Sequence, residues 1–356
     1  MKQRLIKLSD WIEGYGMYEE RIKSETIVCK FCGSPEIVKN GKRKDTQYWI
    51  CKNCGKGFVD NGAIPKMKFP VDDIASAVYQ YFAGYSLNDI RGHIEQQRHI
   101  RPSDSTIYEW VKRFSKVAGD KEQGSLARCG DVWQADETVI HNNWGGKKKK
   151  KLWLIDIIDR DTRFLLASKV SLNHDRKDTA LAFKEAKKRA GKSPKKILTD
   201  GWNVYPDAID LVFGHDTIHE PSNPFRSKRL STNIIERVQG TLKDRTKVMR
   251  GVKSIITAKS IIDGWLIYYN YFRPHETLDN KTPAEVAGAK YPYRNWLDVV
   301  KSQTPLGQIK QNIKISQEVD IVTPLPHKPY RKRTKPKLKR RRQRVGANTS
   351  VGRVNT

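Results

Sequence analysis

Hydrophobic and polar positions follow two different spacings along the chain. Between residues 70 and 118 the apolar residues recur at helical spacing and are interrupted at Gly84, which predicts a group of helices. Between residues 131 and 170 three short apolar runs are separated by turn residues, which predicts three consecutive strands. A helix, a strand, a helix and a strand follow, and the pattern is helical again from about Ser231. This order predicts an α/β fold in which helices flank a mixed sheet.

One predicted strand contains acidic residues where apolar residues are expected. Its sequence is DVWQADETVI, residues 131–140, with Asp136 and Glu137 near the middle. Burial of an unpaired carboxylate costs several kcal/mol, so these acids either face water or have a positively charged partner. Because successive side chains of a strand point to opposite faces, we expect Glu137 to lie on the other face and not to act as a ligand with Asp136.

Four of the five cysteines form two Cys-x-x-Cys pairs. Cys29 and Cys32 are followed, after eighteen residues, by Cys51 and Cys54. This spacing is typical of a zinc site, and four thiolates would complete a tetrahedral, structural Zn²⁺ shell. A glycine follows each pair, where a knuckle turn needs a positive φ. Two pairs of ordinary buried cysteines are the alternative.

The charge of the chain is strongly positive. Lys and Arg total 68 against 39 Asp and Glu, which gives a net charge of +29. Such an excess indicates a polyanionic partner, most often nucleic acid. We expect no membrane span, because no apolar run approaches ~18 residues, and no signal peptide. From residue 321 onward there is no acidic residue, and 11 of the 17 residues from Lys328 to Arg344 are basic, which predicts a disordered tail.

The third predicted helix carries residues suited to DNA contact. Its N-cap is Ser103 or Ser105, and Ser86 with Asp89 resembles the capping box of the helix before it. Two short helices followed by a third resemble a helix-turn-helix, whose last helix presents short polar side chains to base edges. A plain helical bundle is the alternative. The predicted DNA contacts on this helix are Ser105, Thr106, Tyr108, Lys112 and Arg113.

Three acids, Asp136 among them, lie in contexts that look alike. Asp136 in QADET and Asp200 in ILTDGW lie at or near the ends of apolar strands, whereas Glu236 in NIIERVQG lies in a predicted helix. Neighbouring carboxylates repel unless cations lie between them, and Mg²⁺ prefers oxygen ligands. Lys243 and Lys247 share the helix face of Glu236 and are predicted DNA contacts. From these residues alone, three unconnected surface acids are an open alternative.

From about residue 26 to 288 the sequence resembles the DDE-type insertion-sequence transposases, which have an RNase H-like, integrase-like catalytic core. The likeness includes the cysteine ribbon, VWQADETVI, LWLIDIIDRDTR, ILTDGW, TNIIERVQGTLKDRTKVMRG and NYFRPHETLDNKTPAEVAG. Many members have Asn-Asn before the Ile-Glu-Arg stretch, whereas this chain has Thr232-Asn233 and one extra Ile. This departure loosens the register slightly and does not change the choice of Glu236.

The resemblance implies a function and its site. It implies that the first and fourth strands of an RNase H-like sheet are neighbours, so that Asp136 and Asp200 approach each other. It also implies that Asp136, Asp200 and Glu236 are the catalytic ligands of Mg²⁺ or Mn²⁺, and that the protein cleaves element ends and transfers their 3′-OH to target DNA. Double-stranded DNA, a homodimer or higher oligomer and a prokaryotic, cytoplasmic, nucleoid-associated location are the corresponding expectations.

The pattern and the resemblance together divide the chain into six segments. These are an N-terminal helical segment (1–25), a zinc ribbon (26–62), a helix-turn-helix domain (68–120), an RNase H-like catalytic domain (128–290), a linker (291–326) and a disordered basic tail (327–356). Two alternatives have different chemistry. One is a DNA-binding regulator, derived from a transposase, that has lost catalysis, and the other is a plain RNase H-like nuclease.

Overall fold

The structure is a computed structural model. It describes residues 27–122, 126–140, 151–222, 231–248 and 254–304. The chain forms two compact units, residues 1–313 and 314–356, and all described residues belong to the first unit. The predicted N-terminal segment and the predicted basic tail lie outside the described residues. None of the helices in the described ranges is long and apolar enough to cross a bilayer.

A small antiparallel sheet lies at the start of the described chain. Strand β1 spans Ile37–Arg43, β2 spans Thr46–Cys51 and β3 spans Gly57–Val59, in the order β1-β2-β3. Its buried core consists of two cysteines and Phe58. A core of this size supplies little hydrophobic stabilisation, so such a sheet needs additional bonds to stay folded.

Three helices follow the ribbon, as the apolar spacing predicted. They span α1 Val71–Ala83, α2 Leu87–Arg98 and α3 Asp104–Glu122. Helix α1 ends at Gly84, whose φ of 108° lies in the left-handed region that glycine tolerates. Helix α2 begins with the predicted capping box of Ser86 and Asp89. Helix α3 is capped by Ser103, whose hydroxyl oxygen accepts the N–H of Thr106 at 3.2 Å.

A five-stranded mixed sheet forms the centre of the protein. Its strands are β4 Val132–Ile140, β5 Leu152–Asp159, β6 Leu165–Ser171, β7 Lys196–Thr199 and β8 Ile218–Pro221. Their spatial order is β6-β5-β4-β7-β8. Strands β4, β5 and β6 form an antiparallel meander, whereas β7 runs parallel to β4 and β8 parallel to β7. The predicted mixed sheet is confirmed, and the first and fourth strands of the predicted series are neighbours.

Six further helices complete the described fold. They are α4 Arg176–Ala190, α5 Val204–Phe213, α6 Asn233–Val248, α7 Ile255–Ile267, α8 Pro283–Val286 and α9 Trp296–Lys301. Trp133 of β4 packs on Phe213 of α5, whereas its neighbour Gln134 accepts the N–H of Ile235 in α6. Because adjacent strand residues point to opposite faces, α5 and α6 cover opposite sides of the sheet. Strand β5 is therefore buried almost throughout.

The helical segment and the sheet share one hydrophobic core. Helix α3 packs along α7, and a Cβ added at Gly264 of α7 would overlap Ser115 and Phe82. Helix α6 is tied to α1 by Arg245, whose guanidinium lies 3.5 Å from the ring centroid of Tyr81. Arg245 also donates a hydrogen bond to the carbonyl of Tyr85 at 2.9 Å. The close helix packing therefore depends on a glycine and a buried cation.

Candidate metal centres and their surroundings

The four ribbon cysteines converge on one point. The sulfur of Cys29 lies 3.7 Å from that of Cys54, and the sulfur of Cys32 lies 3.6 Å from that of Cys51. All four sulfur atoms lie within 4.8 Å of one another. Tetrahedral Zn²⁺ with Zn–S bonds of ~2.3 Å separates its sulfur ligands by about 3.8 Å. The cluster therefore fits a four-thiolate zinc ion.

The two cysteine pairs are shaped by knuckle turns. Gly33 has a φ of 73° and Gly55 a φ of 68°, which confirms the predicted need for positive φ after each pair. Their N–H groups donate to the carbonyls of Cys29 and Cys51 at 2.8 and 2.9 Å. The N–H of Phe31 also donates to the sulfur of Cys29 at 3.4 Å. Such N–H···S bonds stabilise thiolates and so favour metal binding.

Three carboxyl groups meet just beyond the last paired residues of the parallel strands β4 and β7. Asp136 and Glu137 lie on β4, and Asp200 is the first residue after β7; one oxygen of each lies within 4.8 Å of the others. The two strands are parallel, and their last pair is Gln134 with Leu198. Asp136 and Asp200 therefore each lie two residues after this last pair. We call Asp136, Glu137 and Asp200 the acidic cluster.

The acidic cluster is electrostatically unfavourable without a cation. Burial, together with the charges of Glu137 and Asp200, raises the pKa of Asp136 to about 7. A divalent ion between these oxygens would relieve the repulsion. The donor set consists of carboxylate oxygens alone, which are the ligands that Mg²⁺ and Mn²⁺ prefer. The residues present therefore fit such an ion.

Glu236, the third acid implied by the resemblance, is not a member of the acidic cluster. It is exposed, lies in the first turn of α6, and accepts a hydrogen bond from the hydroxyl of Thr232 at 2.8 Å. The side chain of Gln134 holds this end of α6 against β4 through the N–H of Ile235. Because Gln134 and Asp136 share one face of β4, Glu236 lies on the same side of the sheet as Asp136.

Glu137 faces α5, as strand alternation requires, but its carboxylate still reaches the acidic cluster. The hydroxyl of Tyr205 donates to one of its oxygens, and Nε2 of His174 lies 3.3 Å from the other. Asp136 folds back along its own strand, so that its Oδ1 accepts the N–H of Glu137 at 2.9 Å. This local bend brings together two neighbouring side chains that alternation alone would separate.

An aromatic stack stands beside the acidic cluster. The imidazole of His174 lies between two indoles, with ring centroids 3.6 Å from Trp153 and 3.7 Å from Trp202 and planes within 6° and 4°. The stack joins the start of β5, the loop after β6 and the loop after β7. The sequence does not single out His174, because no spacing connects these three residues along the chain.

A further acid lies opposite Asp136 on the neighbouring strand. Asp156 of β5 is its direct cross-strand neighbour and is 1% exposed. The hydroxyl of Ser168 donates to Asp156 at 2.6 Å. Burial raises the pKa of Asp156 to about 7, although Ser168, Gln239 and Lys243 act in the opposite direction. The sequence shows Asp156 only as one acid in an apolar strand, and its position behind Asp136 comes from the register.

The residues predicted to contact DNA on α3 divide into exposed and engaged side chains. Ser105 and Arg113 are exposed, whereas Thr106 is half-buried. Tyr108 is half-buried against the core. Lys112 lies 5.4 Å from the ring centroid of Tyr108 and forms an ion pair with a neighbouring glutamate at 2.5 Å. The helix-turn-helix assignment and its DNA contacts therefore stay predictions.

The lysines predicted on the face of Glu236 are exposed. Lys243 and Lys247 both point away from the core of α6. Gly240 lies between them and Glu236, and a Cβ added there would have no atom within 4 Å. This face of α6 is therefore open enough for a polymer strand to approach.

Part of the chain that includes this site matches a known protein family. Residues 130–275 match a family model described as a DDE domain, DDE_Tnp_IS240. This range includes the acidic cluster and Glu236. No curated protein matches the chain.

Solved structures of retroviral integrases are similar to part of the chain. The HTLV-2 integrase catalytic core domain in complex with magnesium shares 18% identity, with a TM-score of 0.33 over 46% of this chain and 97% of that chain. The BIV integrase catalytic core domain gives 18% identity and a TM-score of 0.32 over 44% and 93%. A simian T-cell lymphotropic virus intasome in complex with PP2A regulatory subunit B56 gamma gives 16% and 0.33 over 49% and 60%. Scores this low carry no argument about this chain.

The family match and the sheet agree on the same part of the molecule. The matched range begins just before β4 and ends after α7, so it contains the whole five-stranded sheet, the acidic cluster and Glu236. Residues 130–275 therefore resemble a DDE domain of the transposase type, the domain that the matching family model describes.

Proposed function

We propose that the protein is the transposase of a prokaryotic insertion sequence, which binds the ends of its element and joins them to target DNA. The observation that carries this proposal is the meeting of Asp136 and Asp200 where the parallel pairing of β4 with β7 ends, inside the matched range. The net charge of +29 supports a DNA partner. The protein would act on the nucleoid, in the cytoplasm.

Three acids would hold the metal ions. Asp136 and Asp200 supply oxygens from β4 and from the loop after β7, and Glu236 supplies the third carboxylate from α6. Among the described residues, Thr232 engages one oxygen of Glu236 and none engages the other, whereas the two oxygens of Glu137 already contact Tyr205 and His174. We therefore assign Glu236 as the third ligand and Glu137 as the group that positions Asp136.

Two phosphodiester exchanges would take place at this centre. In the first, water attacks the phosphorus at the element end, the P–O3′ bond breaks, and a free 3′-OH remains. In the second, this 3′-OH attacks a target phosphodiester, and the target 3′-oxygen leaves as a hydroxyl. When bound, Mg²⁺ would activate the attacking oxygen and stabilise the leaving oxygen. Lys243, on the open face of α6, would pair with a phosphate next to the cleaved bond.

Homodimers or larger assemblies are part of the proposal, because two element ends must be cut and joined together. Zn²⁺ in the cysteine ribbon would be structural, since four thiolates leave no open position for chemistry. The ribbon and the exposed polar side chains of α3 would bind duplex DNA at the element ends.

A joining assay tests the proposal. A pre-cleaved duplex that carries the element's end is incubated with a target plasmid and Mg²⁺ or Mn²⁺, and covalent joining is measured. We expect Asp200→Asn to abolish joining and to leave duplex binding unchanged, whereas Asp207→Asn, an exposed carboxylate of α5, should retain joining. Equal joining by Asp200→Asn would remove the catalytic assignment, and cleavage without joining would indicate a plain nuclease.

A further inference from the structure

A positively charged cavity lies on the flank of α6 away from the proposed metal centre. It has a volume of about 420 Å³, and its lining includes Arg163 from the turn after β5, Arg237 from α6 and Arg273 from the segment after α7. We call these three residues the arginine pocket. Lys243, Gly240 and the acidic cluster do not line this cavity, so it is separate from the proposed metal centre.

The arginine pocket has no anionic partner within the described residues. No carboxylate of the described chain lies within 4.0 Å of any of its guanidinium nitrogens. Glu276 also lines the cavity, but it is exposed and forms no ion pair with the three arginines. The Nη1 atom of Arg163 is buried and has no hydrogen-bond partner. A buried guanidinium nitrogen of this kind usually bonds a ligand or a carboxylate.

The fold holds the first arginine in place at some cost. Arg163 has a φ of 61°, in the left-handed region that non-glycine residues seldom adopt. The turn that carries it is fixed by Asp159, which accepts hydrogen bonds from the N–H and the hydroxyl of Thr162 at 2.9 and 2.6 Å. Asp159 also accepts the N–H of Gly130 at 3.0 Å. The direction of Arg163 is therefore set by a bonded turn.

The positive charges in the cavity repel one another. Burial lowers the pKa of Arg163, and the charges of Arg160 and Arg237 lower it further, whereas Tyr269 and Asp161 act in the opposite direction. His275, which also lines the cavity, has a lowered pKa because of burial and because of the charges of Arg273 and Arg163. Three cations gathered without an ion-paired carboxylate store repulsion that a bound anion would release. Guanidinium groups match the geometry of phosphate oxygens.

We infer that the arginine pocket is a phosphate-binding site that takes one backbone phosphate of a DNA strand. The phosphate chemistry follows from the three unpaired guanidinium groups, and the choice of DNA as its source rests on the proposed function. The arginine pocket and the proposed metal centre lie on different flanks of α6. A DNA strand bound in the pocket would therefore be held close to the metal centre without contacting its acids.

Thermal unfolding in two buffers tests the phosphate site alone. Inorganic phosphate should raise the Tm of the wild-type protein by several degrees over chloride at equal ionic strength, because it binds the folded state only. Arg163→Gln and Arg273→Gln should each lose most of that rise. The matched control is Arg294→Gln, which removes an exposed charge outside the cavity and should keep the rise.

A third variant, Arg237→Gln, distinguishes loss of phosphate binding from a folding defect. Arg237 is exposed, so Arg237→Gln should fold and should be at least as stable as wild type in chloride, because it removes repulsion. A phosphate effect that is equal in wild type and in Arg237→Gln, Arg163→Gln and Arg273→Gln would overturn the phosphate site.

Binding of a short DNA duplex at several salt concentrations tests the source of the phosphate. The slope of log K against log salt should fall by about 1 for Arg163→Gln relative to Arg294→Gln, as expected for one lost phosphate contact. Equal slopes would overturn the DNA assignment. Neither measurement requires catalysis, so loss of strand transfer in Asp200→Asn and failure of the arginine pocket are separate outcomes.

Discussion

The imidazole of His174 stacks on the indole of Trp202, with ring centroids 3.7 Å apart and planes within 4°. Trp202 is two residues after Asp200, and its backbone N–H donates to Oδ1 of Asp200 at 3.0 Å. His174 also contacts Glu137, the neighbour of Asp136. One ring therefore links the two sides of the acidic cluster. Such outer contacts orient metal ligands and tune their affinity.

Replacement of His174 should loosen the acidic cluster. We expect His174→Ala to lower strand transfer by about 10–100-fold, the range found when outer partners of metal ligands are removed. DNA binding should not change. His215→Ala, an exposed histidine at 99% side-chain exposure, is the matched control and should keep full activity.

A second variant separates stacking from hydrogen bonding. His174→Phe keeps an aromatic ring between Trp153 and Trp202 but cannot bond Glu137. If stacking on Trp202 orders the Asp200 loop, His174→Phe should retain more activity than His174→Ala. Equal losses in both variants would assign the effect to the contact with Glu137, and full activity in both would contradict a positioning role.

The two candidate third ligands can be distinguished by isosteric amides. Glu236→Gln should lower strand transfer by about two orders of magnitude or more, because a metal ligand controls several kcal/mol of transition-state stabilisation. Glu137→Gln keeps an oxygen that accepts from Tyr205 and should lose about tenfold. Rates measured at saturating Mn²⁺ with a pre-cleaved end provide the comparison. The reverse order of losses would make Glu137 the ligand.

Removal of zinc should unfold the ribbon and leave the sheet intact. The ribbon's buried core is Phe58 with two cysteines, whereas structural Zn²⁺ contributes ~10–16 kcal/mol in isolated zinc-finger peptides. Amide exchange in a chelator should show loss of protection over residues 27–60 alone. Cys129→Ser, a cysteine outside the cluster, should not alter zinc content. Protection that persists in the chelator would contradict a four-thiolate zinc site.

A buried ion pair joins the end of α3 to α4, and its two halves should not be equivalent. Glu122 and Arg189 meet at 2.8 Å with side chains only 7% and 13% exposed. Arg189→Met should destabilise the fold by about 3–5 kcal/mol, because it leaves a buried carboxylate without its cation. Glu122→Gln should cost less, since the amide oxygen still accepts from Arg189. Urea unfolding at neutral pH measures both differences.

The same pair predicts a pH dependence. Burial raises the pKa of Glu122 above its ordinary value of 4.5, although Arg189 opposes this. Between that value and the raised pKa, the folded protein retains a proton that the unfolded chain has lost. The contribution of Glu122 to stability is therefore full below pH 4.5 and falls as the pH rises through the raised pKa. The stability difference between wild type and Glu122→Gln should decline with rising pH, and a constant difference would contradict the shift.

The sequence predicted the features that depend on local patterns. Strand and helix spacing, the capping box at Ser86, the helix end at Gly84 and the cysteine knuckles all follow from neighbouring residues. The adjacency of Asp136 and Asp200 required the resemblance, because it depends on which strands pair. These predictions are confirmed by the fold.

The features that the sequence did not predict arise from register and bending. Asp156 lies behind Asp136 because of the cross-strand register of β4 and β5. Glu137 reaches the acidic cluster because Asp136 bends back onto its N–H. The arginine pocket gathers residues separated by 74 and 36 positions, which no local pattern connects. Long-range geometry of this kind is visible only after the chain has folded.

Binding of Mn²⁺ to zinc-loaded protein, followed by electron paramagnetic resonance of the free ion, tests the metal centre most directly. Wild-type protein should bind Mn²⁺ at the acidic cluster, and Asp136→Asn and Asp200→Asn should each weaken binding by about tenfold or more, because ligand charge sets affinity at such sites. Asp207→Asn should bind like wild type. Equal Mn²⁺ affinity in wild type, Asp136→Asn and Asp200→Asn would contradict a shared metal site.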